Sequence, residues 1–104
     1  MGNVTAMTEP VTGSGEAAAR IADALQAQYF RGVLASHRAH LDVTLAKVHT
    51  QIDNHRQTGD RFEVHRLQRQ LREHQDELGQ LNWLIDRLER RYTETWADID
   101  AELR

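Results

Sequence analysis

The side chains best suited to chemistry in this 104-residue sequence are its six histidines and their acidic neighbours. Three pairs have a spacing that could place both members on one helix face: His37 with His40, His49 with Asp53, and His74 with Glu77. Catalytic zinc normally has three protein ligands and structural zinc has four. None of the pairs is part of a recognised metal-binding motif such as H-E-x-x-H, and the sequence pattern supplies no third ligand. We therefore expect no metal site and no cofactor.

Residues for nucleophilic catalysis are also scarce. The sequence has no Cys, and its two serines are Ser14 and Ser36, neither of which lies in a Gly-rich turn of the nucleophile-elbow type. The Asp and Glu residues follow charge patterns typical of exposed helix surfaces, which explain them without a catalytic role. We expect a protein that is not an enzyme.

The elements that carry these residues are helices. From Glu16 onward the chain has no Pro and is rich in Ala, Leu, Arg, Gln and Glu, which are strong helix formers. Gly59 and Asp60 supply a helix stop and a helix start, and Glu63 suggests a capping box with Asp60. The pattern predicts a disordered tail over residues 1–15, then helices over 16–57 and 60–103 with a turn at 58–60. A turn this short makes the two helices antiparallel neighbours.

The second helix carries a heptad pattern: eleven positions from Val64 to Ile99 follow one another at alternating spacings of three and four, and nine of them are apolar or aromatic. Sustained over about five heptads, this pattern indicates coiled-coil packing. The predicted fold is therefore all-α, a long antiparallel helical hairpin. Its predicted seam consists of Leu41, Leu45, Val48, Ile52, Leu67, Leu71, His74, Leu78, Leu81, Ile85, Leu88, Tyr92 and Ile99.

His74 is the polar member of that seam. A lone polar residue in a coiled-coil core often sets register or partner choice at a cost in stability. We predict this role for His74; the alternative is that its ring lies along the groove and keeps one nitrogen in contact with water.

Several large apolar residues lie beside or opposite the seam, where a monomeric hairpin would leave them exposed to water. The candidate oligomer or partner interface comprises Tyr29, Phe30, Trp83, Leu84, Trp96 and Leu103. Exposed residues of this kind usually mark an interface. We predict self-association, most simply as a homodimer that forms a four-helix bundle. The alternative is a monomer whose Trp side chains fold back along their own helices.

Charge is unevenly distributed along the chain. Residues 47–72 carry six basic against three acidic residues, whereas residues 73–104 carry four against nine. The predicted basic tip includes Arg56, Arg61, Arg66, Arg69 and Arg72. It could be an ordinary solvated surface, contact an acidic protein partner, or bind nucleic acid. Nucleic acid is disfavoured by the net charge of −3 and by Phe62 being the only aromatic residue near the tip.

The predicted hairpin is similar in outline to the small helical proteins exported by type VII secretion in actinobacteria. However, the turn lacks Trp-x-Gly, and Trp96 stands where their Tyr-x-x-x-Asp/Glu signal would place an acid after Tyr92. No family is therefore assigned. With no apolar run long enough for a membrane span, we expect a cytoplasmic protein with no membrane contact. The expected function is a non-catalytic protein–protein interaction module: an adaptor, small chaperone, assembly factor or regulator.

Overall fold

The computed structural model describes the backbone of residues 2–104 and the side chains of residues 15–104. Helix α1 spans Gly2–Thr58 and helix α2 spans Arg61–Leu103, and the described chain contains no strand. The two helices pack against each other, which confirms the predicted all-α helical hairpin. The described backbone of residues 2–15 is part of α1, whereas the sequence predicts a disordered tail there and a helix that begins at residue 16.

The connection between the helices consists of Gly59 and Asp60. Gly59 has φ of 77°, a left-handed conformation that is costly for residues with a Cβ. Its N–H donates to the carbonyl of Arg56 at 3.3 Å, and the N–H of Asp60 donates to the carbonyl of His55 at 3.1 Å. This pair of bonds is the Schellman motif, which satisfies carbonyls that the end of α1 would otherwise leave unpaired.

Asp60 also caps the start of α2. Its Oδ1 accepts from the N–H of Glu63 at 3.1 Å, as an N-cap side chain does. The reciprocal half of the predicted capping box does not form, because the N–H of Asp60 already donates to His55. The Glu63 carboxylate instead pairs with the guanidinium of Arg66, which lowers the pKa of Glu63 below its usual value.

The chain divides into two compact units. The first, here called the turn unit, spans Arg31–Arg87 and contains the connection. Val48, Ile52 and Leu67 form its central apolar cluster, with Val64 and Leu71 packed at the edge. The other buried apolar side chains of this unit are Leu34, Leu41, Leu45, Leu81 and Ile85. Their spacing of three and four along each helix keeps one apolar stripe of α1 against one of α2.

The second, here called the terminal unit, joins the described residues 15–30 of α1 to Leu88–Arg104 of α2. Its buried residues are both small, Ala24 and Ala27. Tyr92 and Trp96 of α2 are half-buried, and their rings stack with centroids 5.9 Å apart. The indole N–H of Trp96 donates to the carbonyl of Ala24 at 2.7 Å. Large aromatic residues on one helix therefore pack against a helix that presents alanines.

Candidate interaction surfaces

The side chains of the predicted seam lie on the inner faces of the helices. In both units each of the thirteen is buried or half-buried. His74 is half-buried, and its Nε2 atom is enclosed without a hydrogen-bond partner in the described part of the chain. Such an atom loses its bonds to water without replacement, which costs stability. The seam is thus occupied by contacts within the chain, and surfaces that a partner could cover lie outside it.

Two polar contacts between the helices lie beside the seam of the turn unit. His37 donates from Nε2 to Oε1 of Glu77 at 2.8 Å, and Arg38 donates to Oδ1 of Asn82 at 3.3 Å. Glu77, which the sequence pairs with His74, therefore bonds a histidine of the other helix. Both partners of the His37–Glu77 pair are about half exposed, so the pair adds little to stability.

The outer face of α2 carries an exposed aromatic surface in the turn unit. Trp83 is 58% exposed and Leu84 is 37% exposed. Gly79, one turn before Trp83, has nothing within 4 Å of where a Cβ would lie, so the helix surface is open there. The guanidinium of Arg87 lies over the Trp83 ring, 5.1 Å from its centroid. An open groove of about 680 Å³ is lined by Gln75, Asp76, Gly79, Gln80, Trp83 and Leu84.

A second exposed apolar surface lies in the terminal unit. Tyr29 is 76% exposed and Phe30 is 48% exposed. They border a groove of about 420 Å³ whose floor includes Ala27, Leu88 and Tyr92. The neighbouring Ile21 and Leu25 are also partly exposed.

The remaining interface candidates differ in their surroundings. Leu103, the last residue of α2, is 82% exposed. Trp96 is half-buried and hydrogen-bonded within the terminal unit, so little of its ring is free for a partner. The sequence pattern shows only that Trp96 lies beside the seam. Its bond to the backbone of α1 depends on the small side chain of Ala24 opposite it, and no local sequence pattern identifies that contact.

The predicted basic tip surrounds the connection. A cavity of about 410 Å³ there is lined by His55, Arg56, Arg61 and His65, together with the acidic Asp60. The other three arginines of the tip lie along α2, and Arg66 is paired with Glu63, which raises the pKa of its guanidinium. The positive charge of Arg66 is therefore engaged by a neighbouring acid, Glu63.

The histidines named as candidates for chemistry lie apart from any cluster of ligands in the described residues. In residues 15–104 no three histidine, aspartate or glutamate side chains come together as metal ligands would. Ser36 lies exposed on α1. Glu77, a member of the third candidate pair, bonds His37 of the other helix.

Neither described helix combines the length and apolar content that crossing a membrane requires. Comparison with known proteins found no matching family model, no matching curated protein and no matching solved structure.

Proposed function

We propose that this protein is a non-catalytic interaction module that self-associates as a dimer and presents helical faces to a protein partner. Adaptor, small chaperone, assembly factor and regulator are the roles that such a module can fill. The observation that carries the proposal is the exposure of large apolar side chains outside a seam that the chain already fills. Trp83 and Phe30 are each about half exposed and border open grooves.

The energetics favour covering these side chains. A large aromatic residue buries roughly 150–250 Å² when enclosed, and apolar burial contributes about 25 cal/mol per Å². Covering the exposed part of Trp83 on two copies would thus contribute on the order of several kcal/mol before the costs of association. The grooves beside Trp83 and Phe30 are too open to enclose a small substrate, whereas a flat, partly apolar helix face suits another helix.

The test is a mass measurement combined with partner capture. We expect size-exclusion chromatography with light scattering to give twice the monomer mass at micromolar concentration. Trp83→Ala should lower the dimer fraction. Val43→Ala is the matched control, because Val43 is also an exposed apolar residue, on α1, and borders neither apolar groove. Affinity purification from the native host should recover a protein at constant stoichiometry. A monomer mass together with no co-purifying protein partner would contradict the proposal.

The cavity at the connection supports a second candidate, a nucleic-acid-associated accessory protein that uses the basic tip. His55, Arg56, Arg61 and His65 line one cavity and could contact phosphate together. Phosphate binding strengthens steeply as salt is lowered. Filter binding at low salt tests it: retention of RNA or DNA that is lost in Arg56→Ala/Arg61→Ala would favour this candidate, and no retention would remove it.

A further inference from the structure

We propose that the face of α2 around Trp83 pairs with the same face of a second copy, with the two α2 helices antiparallel. The proposal rests on the self-association proposed above and names the surface and the orientation. The two-fold axis passes between positions 81 and 82, so that Asp76 of each copy meets Arg87 of the other.

The spacing of four exposed residues carries the argument. Asp76, Gln80, Trp83 and Arg87 are separated by four, three and four positions, and all four are exposed on α2. At about 3.6 residues per turn, this spacing keeps them on one face of the helix. The spacing is the same counted from either end of the patch. An antiparallel second copy therefore places the same four positions opposite these, in reverse order. A two-fold interface requires such a self-complementary patch.

The side chains that this symmetry brings together are complementary. Asp76 lies opposite Arg87 of the second copy, an acid against a base, and this pair occurs twice. Gln80 lies opposite Trp83 of the second copy, so the two indole rings are covered near the axis. A parallel arrangement would instead place Asp76 against Asp76 and Arg87 against Arg87, and opposed like charges are costly. Charge therefore selects the antiparallel orientation.

The local surface also suits this pairing. At Gly79 the helix has no side chain, and nothing lies within 4 Å of its Cβ position. The groove there leaves room for a second helix to approach closely beside Trp83. Arg87 already lies over the Trp83 ring of its own copy, 5.1 Å from the centroid, so its guanidinium is held at the patch before association.

Charge reversal gives the test. Within one copy, Asp76 and Arg87 lie 11 residues apart on a helix, about 16 Å, so they cannot bond to each other. Asp76→Arg and Arg87→Asp should each weaken the dimer at least about tenfold, because each creates two like-charge contacts. The double variant should regain the wild-type affinity. A mixture of the two single variants should form the mixed dimer in preference to either homodimer.

Sedimentation velocity at low salt measures the dissociation constants, and native mass spectrometry identifies the mixed dimer. Asp42→Arg is the matched control for Asp76→Arg, since Asp42 is exposed on α1 outside the patch and its reversal changes the net charge by the same amount. Far-UV circular dichroism should show unchanged helix content in all variants.

Three results would overturn the inference, and they are distinguishable. If the wild type dimerises but the single reversals dimerise equally well, another surface forms the dimer and the proposed self-association stands. If the wild type stays monomeric at high micromolar concentration, the α2 pairing fails together with the proposed self-association. A mixture without preferential pairing would also contradict the antiparallel arrangement.

Discussion

The turn unit and the terminal unit are built from the same two helices but are stabilised differently. The turn unit buries leucine, isoleucine and valine from both helices. The terminal unit buries two alanines, against which half-buried aromatic residues and one hydrogen bond from Trp96 are arranged. The comparison shows that a continuous heptad on one helix does not dictate uniform packing, because the partner helix decides how much apolar volume is buried.

Shortening a core side chain should show the difference between the two units most clearly, as a difference in lost stability. Leu67→Ala should lower the free energy of unfolding by about 3 kcal/mol, since Leu67 is 2% exposed and its removal leaves a cavity. Ile99→Ala, in the terminal unit, should cost about 1 kcal/mol because Ile99 is only half-buried. Urea denaturation followed by circular dichroism measures both. An equal cost would show that the two units are packed equally well.

Replacing His74, the polar residue of the seam in the turn unit, should instead raise the free energy of unfolding. His74→Leu should stabilise the fold by about 1–2 kcal/mol, because it removes a buried nitrogen that has no hydrogen-bond partner. If His74 sets register, the same variant should also populate more than one oligomer. Thermal melting and light scattering check the two effects. A lower melting temperature with a single oligomer would contradict the register role.

The connection should be sensitive to a side chain at one glycine. Gly59→Ala should cost about 1–2 kcal/mol because φ at this position is 77°. Gly32→Ala is the control: Gly32 lies within α1 with open space around its Cβ position, so alanine should stabilise by up to about 1 kcal/mol. Chemical denaturation should give opposite signs for the two variants.

The hydrogen bond of the terminal unit should have a smaller effect. Trp96→Phe removes the donor to the Ala24 carbonyl while keeping an aromatic ring, and we expect a loss of about 0.5–1 kcal/mol. Amide hydrogen exchange should accelerate in residues 15–30 and 88–104 and stay unchanged near Leu67. Faster exchange throughout the chain would show that the two units open together.

The ion pair at the start of α2 should have the smallest effect, and it should depend on pH. The Arg66 guanidinium lowers the pKa of Glu63, so the stabilisation is present above the usual carboxyl pKa and is lost as pH falls through the lowered value. Glu63→Gln should therefore lower the melting temperature slightly at neutral pH and leave it unchanged in strong acid. Melts of both proteins across that range measure the difference.

Local sequence patterns predicted much of this fold. The three-and-four spacing from Leu67 to Ile99 identified the inner face of α2, and Gly59 with Asp60 identified the connection. Both signals are local, because helix periodicity and capping depend on residues within one or two turns.

Contacts between the helices were less predictable. His37 bonds Glu77, and Trp96 bonds the backbone of Ala24 across 72 positions of the chain. These contacts depend on the register of one helix against the other and on the size of the residue opposite. The groove beside Trp83 likewise needed the structure, since Gly79 alone predicts neither its shape nor its exposure.

The Schellman connection also has a consequence for the order of folding. It brings Ile52 and Leu67 together after closing only a short loop, whereas Trp96 and Ala24 must meet across 72 positions. Loop-closure entropy rises with the number of residues enclosed, so contacts beside Gly59 cost the least to form first. We therefore expect folding to nucleate at the connection and helix pairing to propagate away from it. The aromatic contacts of the terminal unit should form last.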